Sequence, residues 1–95
     1  MTTILVRHKV NDFAKWISSY NTLDSFHKSG GVKSSRIYKS SDNPNEVVVL
    51  TEFADVATAR RFAQSEGLKS AMQNAGVADK PDIYFLDEFG TRSFG

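Results

Sequence analysis

Apolar and polar residues alternate from Thr3 to Val10. Ile4, Val6, His8 and Val10 share one side and Thr3, Leu5, Arg7 and Lys9 the other, which is the period of a strand. The period then changes. Phe13, Trp16, Ile17, Tyr20, Leu23 and His27 recur at intervals of three and four, one stripe of an amphipathic helix, with Asp12 placed to cap its start and Gly30-Gly31 to end it. Val32 to Lys39 alternates again, with Val32, Ser34, Arg36 and Tyr38 on one side and Lys33, Ser35, Ile37 and Lys39 on the other. A cluster of turn formers, Ser40 to Asn45, leads to Glu46 to Phe53. There Val47-Val48-Val49-Leu50 is apolar without alternation, as in a strand covered on both faces. Asp55 can cap a second helix carrying Val56, Ala59, Phe62 and Ala63 inward. Ser65-Glu66-Gly67 interrupts the pattern, and Leu68, Ala71, Met72 and Ala75 extend it to Gly76. After a loop, Val77 to Pro81, the last strand is expected over Asp82 to Phe89, and 90–95 reads as a tail.

The order β-α-β-β-α-β predicts an α+β, ferredoxin-like domain spanning residues 1–95, with its core in 3–89. Its four-stranded antiparallel sheet runs 4-1-3-2, and both helical regions lie on one face. The other face is left bare. Leu5, Ile37, Tyr84 and Leu86 are assigned to it together with half of the third strand, which makes it too apolar to meet water. The expected remedy is a second copy, sheet against sheet, in a symmetric dimer.

Composition narrows the function classes. Ninety-five residues allow one domain, with a folded surface of roughly 5,500 Å². Twelve basic against eleven acidic residues leave a formal charge of +1, no electrostatic case for nucleic acid or an anionic membrane. The absence of cysteine removes disulfides, thiolate metal sites and a cysteine nucleophile, and two histidines are too few for a histidine-built zinc site. No apolar run suits a signal peptide or a membrane span, so a soluble, cytoplasmic protein is expected. RNA-binding domains of the same element order stack bases on aromatic residues of strands one and three. Ile4 to Lys9 and Val47 to Glu52 hold none. An amino-acid-binding regulatory domain would want a glycine in the first strand-to-helix turn, and Val10-Asn11-Asp12 has none.

Several segments together resemble the dimeric α+β-barrel superfamily, most closely the small antibiotic-biosynthesis monooxygenases and polyketide cyclases. They are Val6-Arg7-His8-Lys9-Val10 leading to Asp12-Phe13 and Trp16, Lys28-Ser29-Gly30-Gly31-Val32, Asp42 to Leu50 with Glu52-Phe53, and Ala71 to Val77. The likeness runs from Val6 to Phe89. It implies a homodimer whose sheets face one another and a small apolar cavity between sheet and helices in each copy. It also implies oxidation of an aromatic compound without metal, flavin or other cofactor, through the substrate's own carbanion chemistry. Haem-degrading relatives carry a histidine on the second helix. Asp55 to Ala75 contains neither histidine nor tryptophan, which argues against haem chemistry here.

His8 shares the more apolar side of its strand. Desolvation there favours the neutral ring, so it is either a core histidine satisfied by one hydrogen bond or a base beside a bound phenol or enol. His27 stands near a helix C-terminus, three positions after Asp24. The pair reads as a helix-end salt bridge or as an oriented imidazole for proton transfer. Trp16, Tyr20, Phe62 and Met72 are core residues that would also line a cavity and stack on a planar ligand. Arg36 either faces inward to hold a carboxylate or phenolate, or reaches past an edge strand. Glu52, Asp87 and Glu88 at strand ends read more simply as ion pairs than as a metal site. Two functions follow: a cofactor-independent oxygenase or cyclase acting on a compact aromatic or polyketide-like molecule, or a non-catalytic dimer that senses or carries a small apolar metabolite.

Overall fold

The expected alternation becomes sheet register in the computed structural model, which describes residues 1–74, 76 and 81–95. Strand β1 (Thr2–Lys9) leads to helices α1 (Phe13–Asn21) and α2 (Asp24–Ser29), then strands β2 (Val32–Lys39) and β3 (Glu46–Phe53). Helices α3 (Val56–Ala63) and α4 (Glu66–Asn74) precede strand β4 (Asp82–Asp87). The strands form one antiparallel sheet in the order β2-β3-β1-β4, the predicted ferredoxin-like arrangement read from the other edge. The loop expected over Val77 to Pro81 lies outside the described residues apart from Pro81, as does Ala75 of the second helical stripe.

Register decides which side chains meet. Ile4 faces Thr51 and Phe85 across the ladders, Val6 faces Val49 and Ile83, and His8 faces Val47. The helix-facing row of β1, Thr2, Ile4, Val6 and His8, is buried throughout, as are Val47, Val49, Thr51 and Phe53 of β3. Two clusters fill the space under the helices. Ile4, Val6, Phe53, Ala59 and Phe62 pack with Phe26, Leu68 and Met72. Val10, Trp16, Val47 and Val49 pack with Phe13, Ile17, Tyr20 and Ile37.

The first helix is broken where one continuous stripe was expected. Thr22 ends α1 by donating both its backbone N–H (3.1 Å) and its hydroxyl (2.7 Å) to the Ser19 carbonyl, and Leu23 N–H turns back to Tyr20 (3.1 Å). These three-residue bonds tighten the last turn and stop the four-residue ladder. Asp12 caps the start as predicted, accepting from Ala14 and Lys15. In the second region the predicted interruption is real. Ser65 closes α3 by donating to the Phe62 carbonyl (2.8 Å) and accepts the Leu68 N–H at the start of α4 (3.2 Å).

The β2 assignment needs correction. Ile37, expected on the bare face, packs under the helices against Trp16's cluster, and Arg36 with Tyr38 takes the bare face instead. The cause is a bulge. Val32 pairs with Phe53 but Ser34 with Glu52, so one residue is left over and every later side chain changes sides. Val32 itself still packs on the core. The bare face thus carries Leu5, Val48, Leu50, Tyr38, Tyr84 and Leu86, the last three 49%, 56% and 43% exposed. Arg7 crosses this face to pair with Glu46 and Asp82. The chain exposes 6558 Å², more than the roughly 5,500 Å² typical of a folded monomer of this mass. In the C-terminal tail, Phe89 and Phe94 are fully or nearly fully exposed.

Gly31, between α2 and β2, has φ +91°, and a Cβ there would stand 2.5 Å from Thr58 Cγ2. Gly31→Ala is therefore expected to lower stability by about 1–3 kcal/mol. Gly90→Ala, which meets nothing within 4 Å, serves as the neutral control in urea unfolding. Equal midpoints for the two variants would contradict this account of the turn.

Candidate functional site

Between the two core clusters lies a cavity of about 70 Å³. Its floor is the sheet, through Ile4, Val6, His8, Val49, Thr51 and Ile83. One wall is Trp16, Tyr20, Leu23, Phe26 and His27 from α1, α2 and the turn joining them. The other is Phe62 and Ala63 of α3 with Leu68, Ala71 and Met72 of α4. Of the eight residues singled out in the sequence, the cavity brings together six: His8, His27, Trp16, Tyr20, Phe62 and Met72.

Asp24 and Arg36 are elsewhere. Asp24 is exposed at the first turn of α2 and does not pair with His27, whose Nδ1 is instead 2.7 Å from the Leu23 carbonyl. The helix break causes this, because α2 begins at Asp24 and the ring folds back along its own short helix. Arg36 is exposed on the bare face, carried there by the bulge in β2.

His8 is the chemically unusual member. It is only 5% exposed, and neither ring nitrogen has a hydrogen-bond partner among the described residues. The sequence expectation of a ring satisfied by one bond is not met. Burial pushes its pKa below the ordinary histidine value, since a charged ring there would lose its hydration with nothing in exchange. A tilted contact with Trp16 at 5.4 Å fixes one side of the ring. From there a row of rings crosses the wall: Trp16 stacks on Tyr20 at 5.2 Å, Tyr20 meets His27 at 4.9 Å, and His27 meets Phe62 at 5.9 Å. His8 and His27 thus stand at different points of one cavity with two aromatic rings between them.

Tyr20 keeps its hydroxyl on Ser35 of β2 through a short hydrogen bond. Its pKa is raised, chiefly by burial, while the Ser35 bond works the other way and the Asp24 charge adds to the rise. Both His27 and Tyr20 therefore have polar atoms already committed, and His8 has two that are free. Among the described residues no cluster of three potential metal ligands occurs, and Asp87 accepts a hydrogen bond from Thr2 at 3.0 Å. Phe26 and Thr51 were not foreseen in the site. Phe26 follows Leu23 by the helical interval of three, a signal hidden because the stripe was drawn through its neighbour His27. Thr51 interrupts an apolar strand on its helix-facing side.

The fold is shared with solved structures that include proteins described as antibiotic biosynthesis monooxygenases. A Bordetella bronchiseptica protein provisionally assigned as an antibiotic biosynthesis monooxygenase superposes with a TM-score of 0.79, 12% identity, and 92% of this chain against 95% of that one. SnoaB, a cofactor-independent oxygenase from Streptomyces nogalater, gives 0.77 at 17% identity over 95% and 94% of the two chains. NE2512, a Nitrosomonas europaea protein of unknown function, gives 0.75 at 16% over 99% and 94%. Identities this low establish the shared fold. No family model matches the sequence, and no curated protein matches it. No helix among the described residues is long and apolar enough to cross a membrane.

The buried ring has a pH signature. An unfolded chain takes up a proton near pH 6.5, whereas folded His8 resists it, so the unfolded state binds more protons between the lowered pKa and about 6.5. Stability falls as pH drops through that window and levels off above it. Urea unfolding of the wild type against His8→Phe, from about pH 5 to about pH 7, is expected to show wild type gaining on the variant as pH rises. A constant difference across the range would mean that His8 is not held neutral.

Proposed function

We propose that this chain is a homodimeric, cofactor-independent oxygenase or cyclase acting on a compact aromatic or polyketide-like molecule, with the cavity as substrate site and His8 as proton acceptor. The observation that carries this reading is His8 itself. It is a buried neutral imidazole with both nitrogens unbonded, in a cavity walled by aromatic rings. Nearly all else around it is apolar, so a ligand phenol or enol O–H would donate to the ring's acceptor nitrogen and be aligned by stacking on Trp16 and Tyr20. Support also comes from a fold shared with SnoaB, which is a cofactor-independent oxygenase.

The chemistry requires no more than a base and exclusion of water. The neutral imidazole takes a proton from an acidified C–H or O–H, leaving a delocalised anion in a dry pocket. That anion passes one electron to dioxygen, and the radical pair joins to form a peroxide, which recovers the proton from the imidazolium. Loss of water from a C–H-bearing peroxide leaves a carbonyl. For anthrone, one dioxygen is consumed and one water released for each quinone formed. His27, with Nδ1 on the Leu23 carbonyl, and Tyr20, held by Ser35, orient the ligand. A second reading, a non-catalytic dimer that senses or carries a small apolar metabolite, takes support from the largely apolar lining.

Oxygen uptake with anthrone separates the two readings. Wild type is expected to consume dioxygen, and His8→Gln, close in size, to lose about a hundredfold or more. Trp16 is the only tryptophan and lines the cavity, so quenching of its fluorescence reports occupancy. Quenching without oxygen uptake would favour the carrier. Uptake undiminished in His8→Gln would remove His8 as the base.

The dimer forms through the bare sheet face, where Leu5, Val48, Leu50 and Leu86 offer a continuous apolar surface. Val48 points to that face, while Val49 beside it is buried under the helices. Val48→Asp is expected to give monomer or aggregate in light scattering where wild type gives a dimer. A well-behaved dimer from the variant would place the interface elsewhere.

A further inference from the structure

Three polar side chains are buried among the described residues: Thr2, His8 and Thr51. Thr2 is satisfied, since its hydroxyl donates to Asp87 at 3.0 Å. The other two both line the cavity. Neither nitrogen of His8 has a partner. The Thr51 hydroxyl, on a side chain only 6% exposed, neither donates nor accepts among the described residues. Buried polar groups are nearly always hydrogen-bonded, so two open ones in a single apolar cavity call for a ligand that bonds both.

Sheet register fixes how far apart they stand. His8 pairs with Val47 on β3, and Thr51 pairs with Ile4 on β1. Ile4 and His8 are four residues apart on one row, so the two polar groups are offset by about 13 Å along the strands. The floor between them is Ile4, Val6 and Val49, all apolar and buried. A hydrogen bond of about 2.8 Å at each end leaves about 7–8 Å between the polar atoms of a ligand that reaches both. That is the span of two fused aromatic rings with an oxygen at each far end. At about 70 Å³ the cavity is smaller than the roughly 150 Å³ that holds one benzene ring. The wall that gives way is α4. None of Leu68, Ala71 and Met72 is fully buried, and Met72 is an unbranched chain that repacks readily.

We propose that the ligand of this cavity is a flat fused-ring aromatic molecule with oxygens at both ends, a hydroxyl donated to His8 and a hydroxyl or carbonyl bonded to Thr51. This rests on the reading of the cavity as a ligand site and adds the substrate class. Thr51 both donates and accepts, so it takes either kind of oxygen. It also sets specificity. A site that bonds an oxygen at each end leaves a buried group unpaired when a one-ended molecule enters.

Calorimetric titration of the full chain with naphthalene-2,6-diol and with 2-naphthol tests the assignment. Wild type is expected to bind the diol about tenfold more tightly, the size of one further hydrogen bond in a dry site. Thr51→Val exchanges the hydroxyl for a methyl of similar size in a valine-rich strand. It should erase the preference and leave the affinity for 2-naphthol unchanged. Thr51→Ser keeps the hydroxyl and should keep the preference. Wild-type affinities within about twofold, which the symmetry of the diol alone supplies, would overturn the proposal. So would a preference that survives in Thr51→Val or is lost in Thr51→Ser. Binding of neither compound would overturn the ligand-site reading along with it, whereas equal binding of both overturns only the two-ended recognition. Calorimetry reads binding without turnover, so a failure of oxygen uptake is a separate result.

Discussion

An imidazole placed in the dry interior with neither nitrogen bonded is the constraint around which this fold is organised. Leaving a buried polar group unsatisfied costs about 1–3 kcal/mol, and His8 sits near the end of β1, on the row that also carries Ile4 and Val6. A residue chosen for packing alone would be aliphatic there, like its neighbours. The ring is kept neutral by its surroundings, held against Trp16, and left facing a space that the rest of the core does not fill.

That space exists because the covering layer is built from short helices. Both helical regions break, at Thr22-Leu23 and at Ser65, and each break is fixed by hydroxyl-to-backbone bonds. The cavity walls come from both sides of both breaks: Tyr20 and Phe26 around the first, Phe62 and Leu68 around the second. The core is accordingly two clusters, one centred on Phe53 and Phe62 and the other on Trp16 and Val47. The opening between them is the cavity onto which His8 faces.

The two faces of the sheet serve different ends. The covered face holds the cavity and the unbonded histidine. The bare face has an apolar centre and a guanidinium, Arg7, bridging carboxylates of β3 and β4. Antiparallel sheets commonly leave one face to water, with polar residues alternating outward. Here Leu5, Val48, Leu50, Tyr84 and Leu86 stand where polar residues would be usual. The fold is shared with SnoaB and with a protein of unknown function, so the architecture by itself names no chemistry.

The element order, the sheet topology, the Asp12 and Asp55 caps and the membership of Trp16, Tyr20, Phe62 and Met72 in one apolar lining were all legible in the chain, because each depends on local period or local hydrogen bonding. Ile37 was assigned to the wrong face, and Arg36 was left between two orientations, because a bulge is a single extra residue that leaves no mark in a polar, weakly alternating segment. The Asp24–His27 pairing failed because it assumed one straight helix, and the break turns on how Thr22 donates back to the Ser19 carbonyl. What the amino-acid order determined, then, is the set of faces: which residues could be buried together. Only the tertiary structure decided that His8 finds no partner, since an empty hydrogen-bond position is set by every group that packs around it and belongs to no local pattern.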